Sequence, residues 1–204
     1  MATLVLVRHG ESEWNAKGIW TGWTDIPLSE KGREEAKTAA TALKDIQIDL
    51  AYTSILSRAK ETLEIIKQIL GLPDLVTIES PALNERDYGE YTGKNKWEIE
   101  KQIGEENFQK LRRGWYYPVE NGETLKDVYE RVVPYYQQEI LPNLELGKHI
   151  LISAHGNSLR ALVKYLDNIS DEDIANLEIA TGEAEIYEIN SSGKVISKEI
   201  KKPQ

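Results

Sequence analysis

The chain has 204 residues, which fits one domain over 1–204, and no cysteine, which excludes disulfide frameworks, thiolate catalysis and Cys-ligated zinc or iron–sulfur sites. Acidic residues outnumber basic ones by 34 to 25, and the formal net charge of −9 repels nucleic acid and anionic lipid while leaving room for a small anion wherever cations cluster. No apolar run approaches the roughly 20 residues that span a bilayer, and the opening MATLVLVRHGE lacks the regions of a secretory signal, so a cytoplasmic protein is expected.

Thr3–Val7 is a short, nearly all-apolar run, as in a strand buried on both faces. Ser29 to about Lys44 reads as a helix with Ala36, Ala39, Ala40 and Leu43 on one face. Asp49–Thr53 reads as a second strand, Leu56–Leu70 as a helix stopped by Gly71, and Leu75–Glu79 as a third strand. The stretch 81–119 breaks this alternation. It is rich in Gly, Arg, Trp and Tyr, carries two short helical patterns, and reads as an inserted functional segment.

A helical period resumes over Thr124–Leu144, with Pro134 and Pro142 expected to kink or end it. His149–Ser153 is a strand and Leu159–Leu166 a helix; Ser170–Asp173 resembles a capping box that opens another. Glu183–Asn190 and Lys194–Ile200 flank Ser-Ser-Gly as a closing hairpin. The order predicts an α/β fold, a three-layer αβα sandwich about a mostly parallel sheet. Ligands of such sheets bind at the carboxyl ends of the strands.

Two of the three histidines occupy that position. His9 and His155 each follow a predicted buried strand and precede a glycine, whose freedom lets backbone N–H groups form an anion-binding nest. A lone histidine there would be structural; a matched pair points to chemistry. Metal binding is rejected. His149 lies at the other end of the strand leading to His155, and two histidines without cysteine make a poor zinc site.

Six of the eight arginines fall in the suspected segments: Arg8, Arg58, Arg86, the pair Arg112–Arg113, and Arg160. Arginine's planar fork suits bidentate phosphate binding. Arg160 alone is better explained as bridging an acidic neighbour, and Arg33 and Arg131 read as surface residues on helices. A histidine among arginines either binds phosphate or attacks phosphorus to become a phosphohistidine. Attack needs a proton-transfer partner; Glu85 is the first candidate and Glu11 the second, although Glu85 could instead salt-bridge an arginine. No P-loop, dinucleotide fingerprint, nucleophile elbow or zincin motif is present.

The segment LVRHGESEWN, Leu6–Asn15, resembles the signature of the histidine phosphatase superfamily. TGWTDIPLSEKG, TSILSRAKET, LNERDYGEYTGKNK, RRGWYYPVENGETLKD and ILISAHGNSLRALVKYL are similar, in order and spacing, to the cofactor-dependent phosphoglycerate mutase family, from about residue 3 to residue 200. The resemblance implies a phosphorylated His9, with Arg8 and Arg58 cradling the transferring group, His155 stabilising its transition state and Glu85 as general acid/base. It further implies that Asn15, Thr21, Gly22, Tyr88, Lys96, Arg112, Arg113, Gly156 and Asn157 bind substrate phosphate and carboxylate. The implied reaction interconverts 3-phosphoglycerate and 2-phosphoglycerate, primed by 2,3-bisphosphoglycerate and without metal, in a monomer or small homo-oligomer.

Longer members carry an insertion around Val119–Asn121 and a tail over the site. Here PVENGE is direct and the chain stops at Gln204, so leakage of the phosphoenzyme to water is expected to rise. A phosphatase using the same phosphohistidine and a non-catalytic phosphometabolite binder are the competing readings.

Overall fold

A computed structural model describes residues 1–202; Gln204, on which the expectation about the tail rests, lies outside them. Six strands form one sheet in the order β3-β2-β4-β1-β5-β6. β1 (Ala2–Arg8), β2 (Leu50–Thr53), β3 (Thr77–Glu79) and β4 (Ile150–Ala154) run parallel, β5 (Ala184–Ile189) is antiparallel to β1, and β6 (Val195–Lys201) is antiparallel to β5. β1 alternates its apolar side chains between the faces. Leu4 and Leu6 join one core with α6 (Leu125–Tyr135) and α8 (Gly156–Leu166); Val5 and Val7 join another with α2 (Glu30–Ala42) and α3 (Ser57–Ile69). A strand buried on both faces needs no polar alternation, which is why it was legible as an apolar run.

The register matters most for function. Arg8 pairs with Ala154 across β1 and β4, so His9 and His155 leave neighbouring parallel strands at the same level. His9 N–H still donates to Ala154 C=O at 3.0 Å. The segment 81–119 rises beside this edge as two 3₁₀ turns (Pro81–Leu83 and Gly89–Tyr91) followed by α4 (Lys96–Ile103) and α5 (Glu105–Arg113). It has its own apolar cluster, in which Ile99, Phe108, Leu111 and Val119 pack with Trp20 and Tyr88.

Three local expectations shift. α8 starts at Gly156, three residues before the apolar period begins, with Ser158 Oγ accepting from His155 N–H at 3.1 Å. Ser170–Asp173 opens only a 3₁₀ turn, Asp173–Asn176. Pro134 lies inside α6, and the rod runs on through a π-turn (Tyr136–Ile140) into α7 (Leu141–Glu145), where Pro142 occupies the first turn. The π-turn thus lies between the two prolines, and neither ends the rod.

Candidate active site

The loops beyond β1 and β4 and the segment 81–119 line one cleft. His9 is 2% exposed at its floor. Its Nδ1 lies 2.6 Å from Gly10 C=O, and a carbonyl only accepts, so Nδ1 carries the proton. Nε2 keeps the lone pair. Burial, then the charges of Arg58 and Arg8, hold the ring well below the usual histidine range, so it is neutral at physiological pH.

His155 does not line the cleft. It lies fully buried behind, its ring 4.9 Å from that of His9 and tilted by 65°. Its Nε2 meets Ser54 Oγ at 2.7 Å, and that hydroxyl also accepts from Leu56 N–H. Nδ1 has no protein partner. Burial, and then Arg58, depress its pKa as well.

Glu85 faces the same cleft. Its Oε1 accepts from Arg86 N–H at 2.8 Å and from Asn157 N–H at 3.1 Å, both fixed backbone donors. Asn157, in the first turn of α8, also donates to Tyr88 Oη at 2.8 Å and accepts from Arg160 at 2.9 Å. The Tyr88 hydroxyl is therefore left with its hydrogen free to donate. Burial and the Glu85 charge raise its pKa, so the hydrogen stays. Tyr88 and Lys96 both pack on Trp20, with centroid distances of 4.3 Å to the ring of Tyr88 and 5.3 Å to the Lys96 ammonium.

The cations come from four elements. Arg8 ends β1, Arg58 opens α3, Lys96 opens α4, and Arg112 and Arg113 end α5. Arg58 is 1% exposed and anchored by the carbonyls of Gly22 and Thr24. Burial, and then Arg112, Arg8 and Arg113, lower Lys96 to about 8. Arg8 thus acts electrostatically on both His9 and Lys96, with Arg58 grouped with the first and Arg112 and Arg113 with the second. Asn15 from α1 (Glu13–Ala16), Thr21 and Gly22 from the loop after it, and Gly156 from the start of α8 complete the wall. A side chain at Gly156 would press on the Arg8 guanidinium at 3.4 Å. Arg8 Nε, Trp20 Nε1 and Thr21 Oγ1 are buried in this wall without a protein partner. Such orphaned groups fit an oxyanion-rich ligand.

Several sequence expectations are corrected. Glu11 is no alternative acid: it is tied to Lys31 and Ser29 away from the cleft. Gly10 offers no anion nest, because its N–H donates to Thr62 Oγ1; glycine is needed there because a Cβ would stand 2.0 Å from Gly32 C=O. Arg86 is 1% exposed and donates to the carbonyls of Leu111, Tyr117 and Glu123, so it binds the fold. Arg160 bridges carbonyls of Leu177, Arg113 and Ile174 in place of an acidic partner. Arg131 is not a surface residue, since its guanidinium reaches the loop that carries Glu85. Two cleft-side residues went unnoticed, Ser54 behind His155 and Glu178, which pairs with Arg113 at 2.5 Å. The TSILSR motif pointed near the first; nothing local marks the second.

Among the described residues no group of three or more His, Asp or Glu side chains is placed to hold a metal ion. The family model of the histidine phosphatase superfamily, branch 1, matches residues 4–200. The chain is 52% identical over 200 residues to the 2,3-bisphosphoglycerate-dependent phosphoglycerate mutase of Chelativorans sp., covering 97% of each chain. It is 50% identical over 199 residues to that of Parvibaculum lavamentivorans, covering 97% of this chain and 95% of the other. Among solved structures, Bacillus stearothermophilus YhfR superposes with a TM-score of 0.83 at 29% identity over 96% of this chain and 95% of that one. The α-ribazole phosphatase from Shigella flexneri gives 0.79 at 26% identity over 95% and 93%. The chain belongs to the histidine phosphatase superfamily, branch 1.

Proposed function

We propose that the chain is a 2,3-bisphosphoglycerate-dependent phosphoglycerate mutase, interconverting 3-phosphoglycerate and 2-phosphoglycerate in glycolysis and gluconeogenesis. The observation that carries this is the double set of cations in one cleft, Arg8 with Arg58 about His9, and Lys96 with Arg112 and Arg113 beyond. A bisphosphorylated carboxylate carries about four to five negative charges and needs two anion sites. Relatives bearing that name match nearly the whole of this chain at 50–52% identity, and nearly the whole of their own length, so the direct PVENGE connection does not set it apart from them.

His9 Nε2 is the nucleophile. Its lone pair forms the N–P bond while the P–O bond to the departing alkoxide breaks. Glu85 Oε2, which takes none of the hydrogen bonds made by Oε1, takes the proton of the hydroxyl that attacks phosphorus in one transfer and returns it to the departing oxygen in the other. Arg8 and Arg58 neutralise charge on the transferring phosphoryl oxygens, and His155, whose Nδ1 has no protein partner, stabilises the transition state from behind His9. Lys96, Arg112 and Arg113, with Asn15, Thr21, Gly22, Tyr88, Gly156 and Asn157, hold the spectator phosphate and the carboxylate. When bound, 2,3-bisphosphoglycerate supplies the phosphoryl group that primes His9. The unpartnered Arg8 Nε and Thr21 Oγ1 fit that ligand. The reaction belongs in the cytoplasm; among the described residues no helix is long and apolar enough to cross a membrane.

A hydrolase reading has one specific support, the 26% identity to an α-ribazole phosphatase over most of both chains. A coupled assay separates the two. 3-Phosphoglycerate is supplied with and without 2,3-bisphosphoglycerate, EDTA present, for wild type and His9→Ala, with released phosphate followed in parallel. Stimulated 2-phosphoglycerate formation, lost in His9→Ala, is the expected result. Phosphate release without isomerisation replaces the mutase reading by the phosphatase one.

A further inference from the structure

Glu85 lies in a loop between 3₁₀ turns, with no strand ladder to fix it. Something else must hold it. From α6, Arg131 donates to three carbonyls of this stretch, those of Ala82 at 2.8 Å, Asn84 at 3.0 Å and Glu85 at 2.9 Å. The same guanidinium meets both carboxylate oxygens of Glu123, at 2.7 and 2.9 Å. Glu123 then grips the far side of the loop. Its carboxylate accepts from Asp87 N–H at 2.9 Å, its N–H donates to Asp87 C=O at 2.8 Å, and its carbonyl accepts from Arg86 Nε. The Glu85 carbonyl has a second donor in Trp23 Nε1 at 2.6 Å.

We infer that Arg131, backed by Glu123, is a positioning residue that sets the reach of the Glu85 carboxylate toward the reacting oxygen. Neither residue lines the cleft. The two protein hydrogen bonds to the Glu85 carboxylate both go to Oε1, so Oε2 is aimed by the backbone that Arg131 pins. One planar fork serves five acceptors, which a lysine ammonium cannot do. The inference rests on the assignment of Glu85 as acid/base, and its test keeps the two apart.

The test compares leaving groups. Phosphorylation of His9 by 2,3-bisphosphoglycerate expels an alkoxide that needs a proton, whereas p-nitrophenyl phosphate expels a nitrophenolate that leaves without one. Rapid-quench rates are measured for wild type, Glu85→Gln, Arg131→Met and Arg131→Lys, with binding of 3-phosphoglycerate measured separately. Glu85→Gln and Arg131→Met are expected to slow transfer from the bisphosphate by on the order of tenfold to a hundredfold, with the nitrophenyl ester nearly unchanged. Arg131→Lys falls between, and binding to both Arg131 variants is unaltered. Should Arg131→Met not fold, Glu123→Gln is read in the same way. If Glu85→Gln discriminates between the esters and the clamp variants slow both equally, or neither, the inference is overturned while the Glu85 assignment stands. If Glu85→Gln does not discriminate, the Glu85 assignment fails and the inference with it.

Discussion

Lys96 gives the sharpest quantitative test of the second anion site. Its pKa falls from an ordinary 10.5 to about 8, through burial and then the charges of Arg112 and Arg8. At about 1.4 kcal/mol per pH unit, the protonated ammonium is disfavoured by about 3 kcal/mol in the free protein. The sign follows from linkage. The folded pKa lies below the unfolded one, so the charge costs stability below pH 8, and the cost fades as pH rises from 8 to 10.5. A bound phosphate restores the ammonium. At pH 8, where about half the free protein has a neutral Lys96, ligand binding takes up about half a proton; at pH 6.5 this group contributes nothing. Calorimetric titration of 3-phosphoglycerate into His9→Ala, in buffers of different ionisation enthalpy, reads that number directly. Affinity should weaken above pH 8 by up to about tenfold per pH unit. Adding Lys96→Met should abolish the uptake, weaken binding at pH 7, and raise the stability of the ligand-free protein. Uptake that persists without Lys96, or a loss of stability on its replacement, would refute the reasoning.

Three further outcomes are expected. His9 and His155 are buried in the neutral form with depressed pKa values, so stability should fall as pH drops below the unfolded value of about 6.5, while His9 remains a competent nucleophile there; a phosphorylation rate with its midpoint at 6.5 would contradict this. Gly10→Ala should cost about 1–3 kcal/mol in denaturant unfolding, since its Cβ meets the Gly32 carbonyl at 2.0 Å and backbone on both sides must move. Glu178→Gln releases Arg113 from an exposed carboxylate, and should tighten bisphosphate binding about two- to fivefold with little change in stability; weaker binding would mean that Glu178 holds Arg113 in its productive place.

What the sequence disclosed and what it concealed divide along one physical line. β1 and β4 were legible because strands buried on both faces are apolar runs, and the His-Gly that follows each one marks its carboxyl end. The cations of α4 and α5 were legible as arginines gathered in an aromatic segment. Arg131 was misread because its neighbours Val128 and Val132 face the core while its own partners are main-chain carbonyls 46 to 49 residues away, and carbonyls leave no mark in a sequence. Arg86 and Arg160 were blurred for the same reason. The first turn of α8 was missed because it faces the cleft with polar residues, so the apolar period starts only at Leu159.

The balance between transfer and hydrolysis turns on the same segment. A phosphatase needs His9, its arginines, a proton donor and water. It has no use for an ammonium held about 3 kcal/mol out of its preferred state among three arginines. That cost comes first from burial and then from the charges of Arg112 and Arg8, and a spectator phosphate relieves it. The relief falls on the part of the ligand that does not react, and so retains an intermediate that must turn round before its second transfer. On this argument Lys96→Met should leave the first phosphorylation of His9 largely intact and raise the fraction of turnovers that end in free phosphate. A lower overall rate with an unchanged ratio of isomerisation to hydrolysis would mean that Lys96 serves binding alone.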